Sequence, residues 1–146
     1  MQIYKSLYEK LLSELPVCPP EVGGILGTNQ DVVIQYWLDK GIESSEYKIC
    51  SYIPDTQKMN KKISEWCDGG ITFAGIFHTH FWGNFTLSKG DIAYIRKIMN
   101  HMPETIEKLY FPIITMPERK LHVYVAIKGI EVIIKEEICQ VKEDKP

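Results

Sequence analysis

Apolar residues recur every three or four positions in three stretches of the chain and alternate or cluster in several others. Ile3, Tyr4, Leu7, Tyr8, Leu11, Leu12 and Leu15 share one helical face, which predicts a helix over about residues 2–15, stopped by Pro16. Strands are expected at 22–27 and 32–38, joined through Thr28-Asn29-Gln30-Asp31, and at 47–53. Asp55 is a candidate cap for a second helix carrying Met59, Ile63 and Trp66 and ended by Gly69-Gly70. Residues 71–80 read as a buried strand, and Ser88 opens an amphipathic helix bearing Ile92, Ile95 and Met99. Strands at 109–115, 121–127 and 130–137 follow, the last two joined by a Lys128-Gly129 turn. The expected fold class is α/β: one domain over residues 1–140, a single mixed sheet flanked by helices, then a charged, flexible tail at 141–146.

The chemistry concentrates where the central strand meets the third helix. His78 and His80 are two apart on the strand, so both rings point to one face and Thr79 to the other. Ser88-Lys89-Gly90-Asp91 begins the helix, and Asp91 in its first turn can fold back toward the strand's end. Two imidazoles and a carboxylate, with a fourth position left to water, make the ligand set of a catalytic zinc site, whereas structural sites more often close with Cys. Ser88-x-x-Asp91 is also a capping-box pattern, and the two uses are compatible.

Zinc-assisted hydrolysis needs a proton acceptor. Glu21, after Pro19-Pro20 and before Val22-Gly23-Gly24-Ile25-Leu26-Gly27, stands at the entry of an apolar strand. Taken alone, it reads better as a solvated strand-end acid; the downstream pattern recommends it as the general base. Together, Glu21 in Glu-Val-Gly-Gly-Ile-Leu-Gly and His78-x-His80-x7-Ser88-x2-Asp91 resemble the JAMM motif of the JAB/MPN (Mov34) metalloproteases, here a compact, stand-alone prokaryotic type. The order of elements fits that family over nearly the whole chain. The resemblance implies a cytidine-deaminase-like MPN fold and one zinc ion on His78, His80 and Asp91. It implies Glu21 as general acid/base and Ser88 as donor to the tetrahedral intermediate. It further implies isopeptidase or peptidase action on ubiquitin or ubiquitin-like conjugates, in deconjugation, antiphage or sulfur-carrier-processing settings. Phe81 and Leu87 stand where family members often have proline, which leaves the shape of the loop between them open. A non-catalytic MPN scaffold that binds a partner is the alternative, but such members typically lack ligands that this chain has.

Other zinc hydrolases are disfavoured. There is no His-Glu-x-x-His, and the deaminase pairing of His-x-Glu with Pro-Cys-x-x-Cys is absent. A chain of 146 residues with 45% hydrophobic content supplies one ordinary globular core. A net charge of −2 with no basic run argues against nucleic acid as partner. No apolar stretch is long enough for a membrane span and the first helix is no secretory signal. Cys18, Cys50, Cys67 and Cys139 are widely spaced in apolar contexts and read as reduced core thiols of a cytoplasmic protein. Cys18 lies three residues before Glu21, where a redox-sensitive group could approach the metal; a packed thiol is the simpler expectation. His101 and His122 are not expected to be ligands. Phe81, Trp82 and Phe85 either cover an extended substrate tail or fold over the core.

Overall fold

The computed structural model describes residues 1–42 and 52–145. In chain order these form β1 (Gln2–Tyr4), α1 (Lys5–Glu14), β2 (Gly23–Asn29), β3 (Val32–Asp39), α2 (Thr56–Asp68) and β4 (Thr72–Phe81). Then come α3 (Lys89–His101), β5 (Lys108–Tyr110), β6 (Ile113–Met116), β7 (Lys120–Ile127), β8 (Ile133–Glu137) and β9 (Gln140–Lys142). The strands make one mixed sheet in the order β5-β7-β6-β4-β2-β3-β1-β9, with β8 beside β7. β4 lies inside it, antiparallel to β2 and parallel to β6.

Strand alternation sorts the core into two layers. Leu26, Phe77 and Ile114 face one side, where Leu11 and Leu15 seal the sheet. Their chain neighbours Ile25, Ile76 and Ile113 face the other, under Met59 and Trp66 of α2 and Ile95 and Met99 of α3. Ile95 and Met99 are fully buried. Burial contributes about 1.5–3 kcal/mol for each such side chain, enough to fix how α3 lies on the sheet and so where its first turn falls. His78 and His80 continue the Ile76 row and emerge on the α2/α3 side.

Several sequence expectations change in detail. The helix predicted from residue 2 starts at Lys5, because residues 2–4 form β1 between β3 and β9. Ile3 fits either the helical stripe or a buried strand, and strand pairing decides. The strand expected over 109–115 is broken at Phe111-Pro112, where proline has no N–H to give a ladder. Lys128-Gly129 is not a two-residue turn: Ile127 pairs with Ile133, leaving five residues between the strands. The apolar Ile130 within them looked like strand and is wholly exposed. The charged end of the chain is not loose throughout, since β9 pairs with β1 and Asp144 accepts from Ser6. The strand expected at 47–53 lies mostly outside the described residues; Tyr52 and Ile53 are not in a strand. Gln30 and Asp31 both take left-handed φ between β2 and β3, as a two-residue hairpin turn requires. Asp55 caps α2 as expected, accepting from Lys58 N–H at 3.2 Å. No described helix is long and apolar enough to cross a membrane.

Gly75 sits where β4 and β5 come closest. A Cβ there would stand 1.8 Å from the Tyr110 carbonyl oxygen and within 3 Å of the Tyr110 carbonyl carbon and nitrogen, all backbone atoms with nothing flexible to yield. Gly75→Ala is expected to lower stability by about 3 kcal/mol. Urea denaturation measures it; a midpoint matching wild type would refute the close approach.

Candidate metal centre

Thr79, between the two histidines, is fully buried on the opposite face of β4. Its main-chain N–H donates to Val22 O at 2.8 Å, and its hydroxyl accepts from Val22 N–H at 2.9 Å. The residue next to Glu21 is thereby pinned to the strand that carries the histidines. Gly23 pairs with His78 in the ladder. Glu21, His78, His80, Ser88 and Asp91 all line one cleft of about 750 Å³, with Ile76, Ile95 and Phe111 among its apolar walls. The five residues singled out in the sequence thus line the same cleft.

His78 Nε2 and His80 Nε2 lie 2.9 Å apart. Asp91 Oδ1 is 3.3 Å from His78 Nε2, and Asp91 Oδ2 is 3.4 Å from His80 Nε2. One donor atom from each residue falls within 4.8 Å of the others, so the group could hold a metal ion. Tetrahedral ligands at about 2.0–2.1 Å from zinc stand roughly 3.3–3.4 Å from one another. The two carboxylate distances match that edge, and the imidazole pair is a few tenths of an ångström tighter. His80 Nδ1 donates to Asn84 O at 2.9 Å, which assigns its proton and leaves the Nε2 lone pair for an ion. The donor set therefore fits a metal.

Asp91 serves two structures at once. Its N–H donates to Ser88 Oγ at 3.0 Å, and its Oδ2 accepts from Ser88 N–H at 2.9 Å, closing a capping box at the start of α3. The Ser88 hydroxyl hydrogen is not used by that bond and remains free to donate.

Electrostatics follow the same geometry. Burial opposes ionisation of Asp91, but hydrogen bonds from both imidazoles outweigh it and hold its carboxyl far below the usual range. Burial also opposes charging His80; the Asp91 hydrogen bond and the Glu21 and Asp91 charges overcome it and raise its pKa. Burial pushes Glu21 up, partly offset by His80 and His78. A carboxyl raised in this way is better matched to taking and returning a proton near neutral pH.

Residues that sequence reading missed support this set. Asp39 is 4% exposed at the end of β3. It accepts from Gly41 N–H at 3.0 Å, Tyr52 Oη at 2.7 Å and Asp55 N–H at 2.9 Å. The Tyr52 ring in turn lies beside Gly23 and lines the same cleft as Glu21. Nothing in the run Leu38-Asp39-Lys40-Gly41 distinguishes such an acid from a solvated one. The aromatics divide: Phe81 is buried in the α1 side of the core, Trp82 is 75% exposed, and Phe85 stacks on His122 with centroids 4.4 Å apart. His122 thus packs on the ligand loop. His101 hydrogen-bonds the Lys97 carbonyl of its own helix. Cys18 and Cys67 are exposed rather than core thiols, Cys67 because it follows the buried Trp66 by one residue on α2; Cys50 lies outside the described residues.

The chain superposes on AF2198, a JAB1/MPN domain protein from Archaeoglobus fulgidus, with a TM-score of 0.55 at 16% identity, over 97% of this chain and 100% of that one. The fold is the JAB1/MPN fold. It is also similar to the solution structure of protein DSY2949 from Desulfitobacterium hafniense, with a TM-score of 0.66 at 20% identity, over 98% of this chain and 93% of that one. No family model and no curated protein matches the chain. Within this MPN fold, the candidate metal group lies where the end of β4 meets the start of α3.

The pair of pKa shifts fixes a pH dependence for the metal-free protein. The depressed Asp91 contributes stability that is present above its unfolded pKa near 3.9 and lost as pH falls. The raised His80 contributes stability that is present below about 6.5 and lost as pH rises through its folded pKa. In chelator, thermal melts should show the pair stabilising most between about pH 4 and 6.5. Asp91→Asn should reduce the fall in Tm between pH 6 and pH 9; parallel curves for the two proteins would contradict the assignment.

Proposed function

We propose that this chain is a zinc-dependent isopeptidase or peptidase that hydrolyses the bond following the C-terminal tail of ubiquitin or a ubiquitin-like protein. The observation that carries the reading is the convergence of two imidazole nitrogens, one carboxylate, a raised glutamate and a cap serine in one cleft of an MPN fold. His78, His80 and Asp91 would hold the ion, and imidazole with carboxylate suits zinc. Bound there, zinc supplies Lewis acidity and lowers the pKa of a water.

Glu21 accepts the proton of the attacking water and delivers it to the leaving amine, which is a lysine side chain when the bond is an isopeptide. The free hydrogen of Ser88 donates to the carbonyl oxygen as it gains charge; such donors are worth most in a site shielded from water. Thr79, through Val22, holds the Glu21 segment in register with the ligand strand, so the base needs little reorganisation. The substrate class rests on the motif resemblance carried by Glu21, His78, His80, Ser88 and Asp91.

Zinc-loaded protein is expected to cleave at least one member of a panel of ubiquitin-like proteins bearing C-terminal fusions, and to stop when chelated. Glu21→Gln should keep its zinc and lose about 10²–10⁴-fold in kcat. Asp91→Ala should lose the metal itself. Zinc-loaded protein that leaves every fusion intact, with Glu21→Gln indistinguishable from wild type, would falsify the proposal.

A further inference from the structure

The loop between the ligands, residues 81–87, contains no proline to stiffen it. Its shape nevertheless matters, because Asn84 O within it is the acceptor that orients His80. Bonds to β6, to the turn that follows it and to β7 hold it on either side of Asn84. Trp82 N–H donates to Met116 O at 2.7 Å, and Gly83 N–H to Glu118 Oε1 at 2.8 Å. Beyond Asn84, Tyr124 Oη donates to Phe85 O at 2.8 Å. The Phe85 ring lies on the His122 imidazole, 19° from parallel. Both partners come from β7, where His122 pairs with Ile113, itself the neighbour of His78 in β4.

We propose that Phe85, His122 and Tyr124 form a clasp that positions the metal ligand His80 by fixing the carbonyl of Asn84. This rests on the metal reading of His78, His80 and Asp91. The peptide that joins Asn84 to Phe85 carries the carbonyl that receives His80 Nδ1–H. The clasp grips the Phe85 end of that peptide by its ring and by its own carbonyl. If the grip is released, Asn84 O can swing away, and His80 is then free to change tautomer or rotate Nε2 off the common point. Outer partners of ligating histidines usually account for 10–100-fold in metal affinity. His122, Tyr124 and Phe85 are therefore positioning residues. They are not among the residues whose atoms would meet the ion or the reacting bond.

The test is zinc affinity of the intact chain, measured by competition with a chromophoric chelator. Tyr124→Phe removes one hydrogen bond with almost no change of volume, and His122→Ala removes the stack. Each is expected to weaken zinc binding by about ten-fold or more. His122→Phe keeps an aromatic face against Phe85 and should restore affinity to within about two-fold of wild type. Melting of the metal-free proteins should stay close to wild type, and cobalt-substituted Tyr124→Phe should show an altered visible spectrum. The clasp is overturned if all three variants bind zinc like wild type, if His122→Phe is as weak as His122→Ala, or if affinity falls only in step with metal-free melting. Because the readout is binding, a chain that cleaves no fusion still decides the clasp. A wild type that takes up no zinc overturns both the clasp and the metal reading.

Discussion

One carboxylate joins the helix to the sheet. Asp91 Oδ2 accepts from Ser88 N–H at 2.9 Å to close the cap of α3, and the same group reaches His78 and His80 at 3.3 and 3.4 Å. Helix geometry and ligand geometry are therefore not independent. Ile95 and Met99 bury the inner face of α3, which sets its rotation. The cap sets where the helix begins. Together they deliver the carboxylate to the end of β4 without a long loop having to aim it. A site built on element ends in this way is held more tightly than one built on loops alone.

Opposite faces of β4 divide the labour. Ile76, His78 and His80 look toward α2 and α3, while Phe77, Thr79 and Phe81 look toward α1. The second row anchors the first: Thr79 binds Val22, and through it the approach to Glu21. A one-residue slip of β4 against β2 would turn both imidazoles into the α1 core and take Phe77 out of it to the α2/α3 side. The fully buried Phe77 makes that slip costly, so hydrophobic register and ligand placement enforce each other.

The parts legible in the sequence are those with a local period. β4 and α3 could be read from alternation followed by a cap, and His78, His80, Ser88 and Asp91 from spacing along these two adjoining elements, whereas Glu21 is reached only through that downstream pattern. What could not be read depends on partners distant in sequence. Ile3 belongs to a helical stripe until β3 and β9 offer it a sheet. Val141 reads as part of a loose tail until Ile3 pairs with it. Asp39 resembles any strand-end acid until Tyr52 and Asp55 converge on it. His122 alternates on its strand like a surface residue, and only the path of the Phe81–Leu87 loop brings Phe85 over it.

The site is a local conflict that the fold sustains. Two imidazole nitrogens and an ionised carboxylate are brought together with a raised Glu21 nearby, in partly buried surroundings where unpaired charge is costly. In the metal-free chain a proton held by His80 relieves part of that strain, which is why its pKa rises against burial. A divalent cation held there would satisfy all three donors at once and would have to displace that proton to do so. Affinity for such an ion and acidity of the medium would then be linked through one imidazole. The Asn84 carbonyl, by holding the other nitrogen of that ring protonated, leaves Nε2 as the nitrogen that would give up its proton.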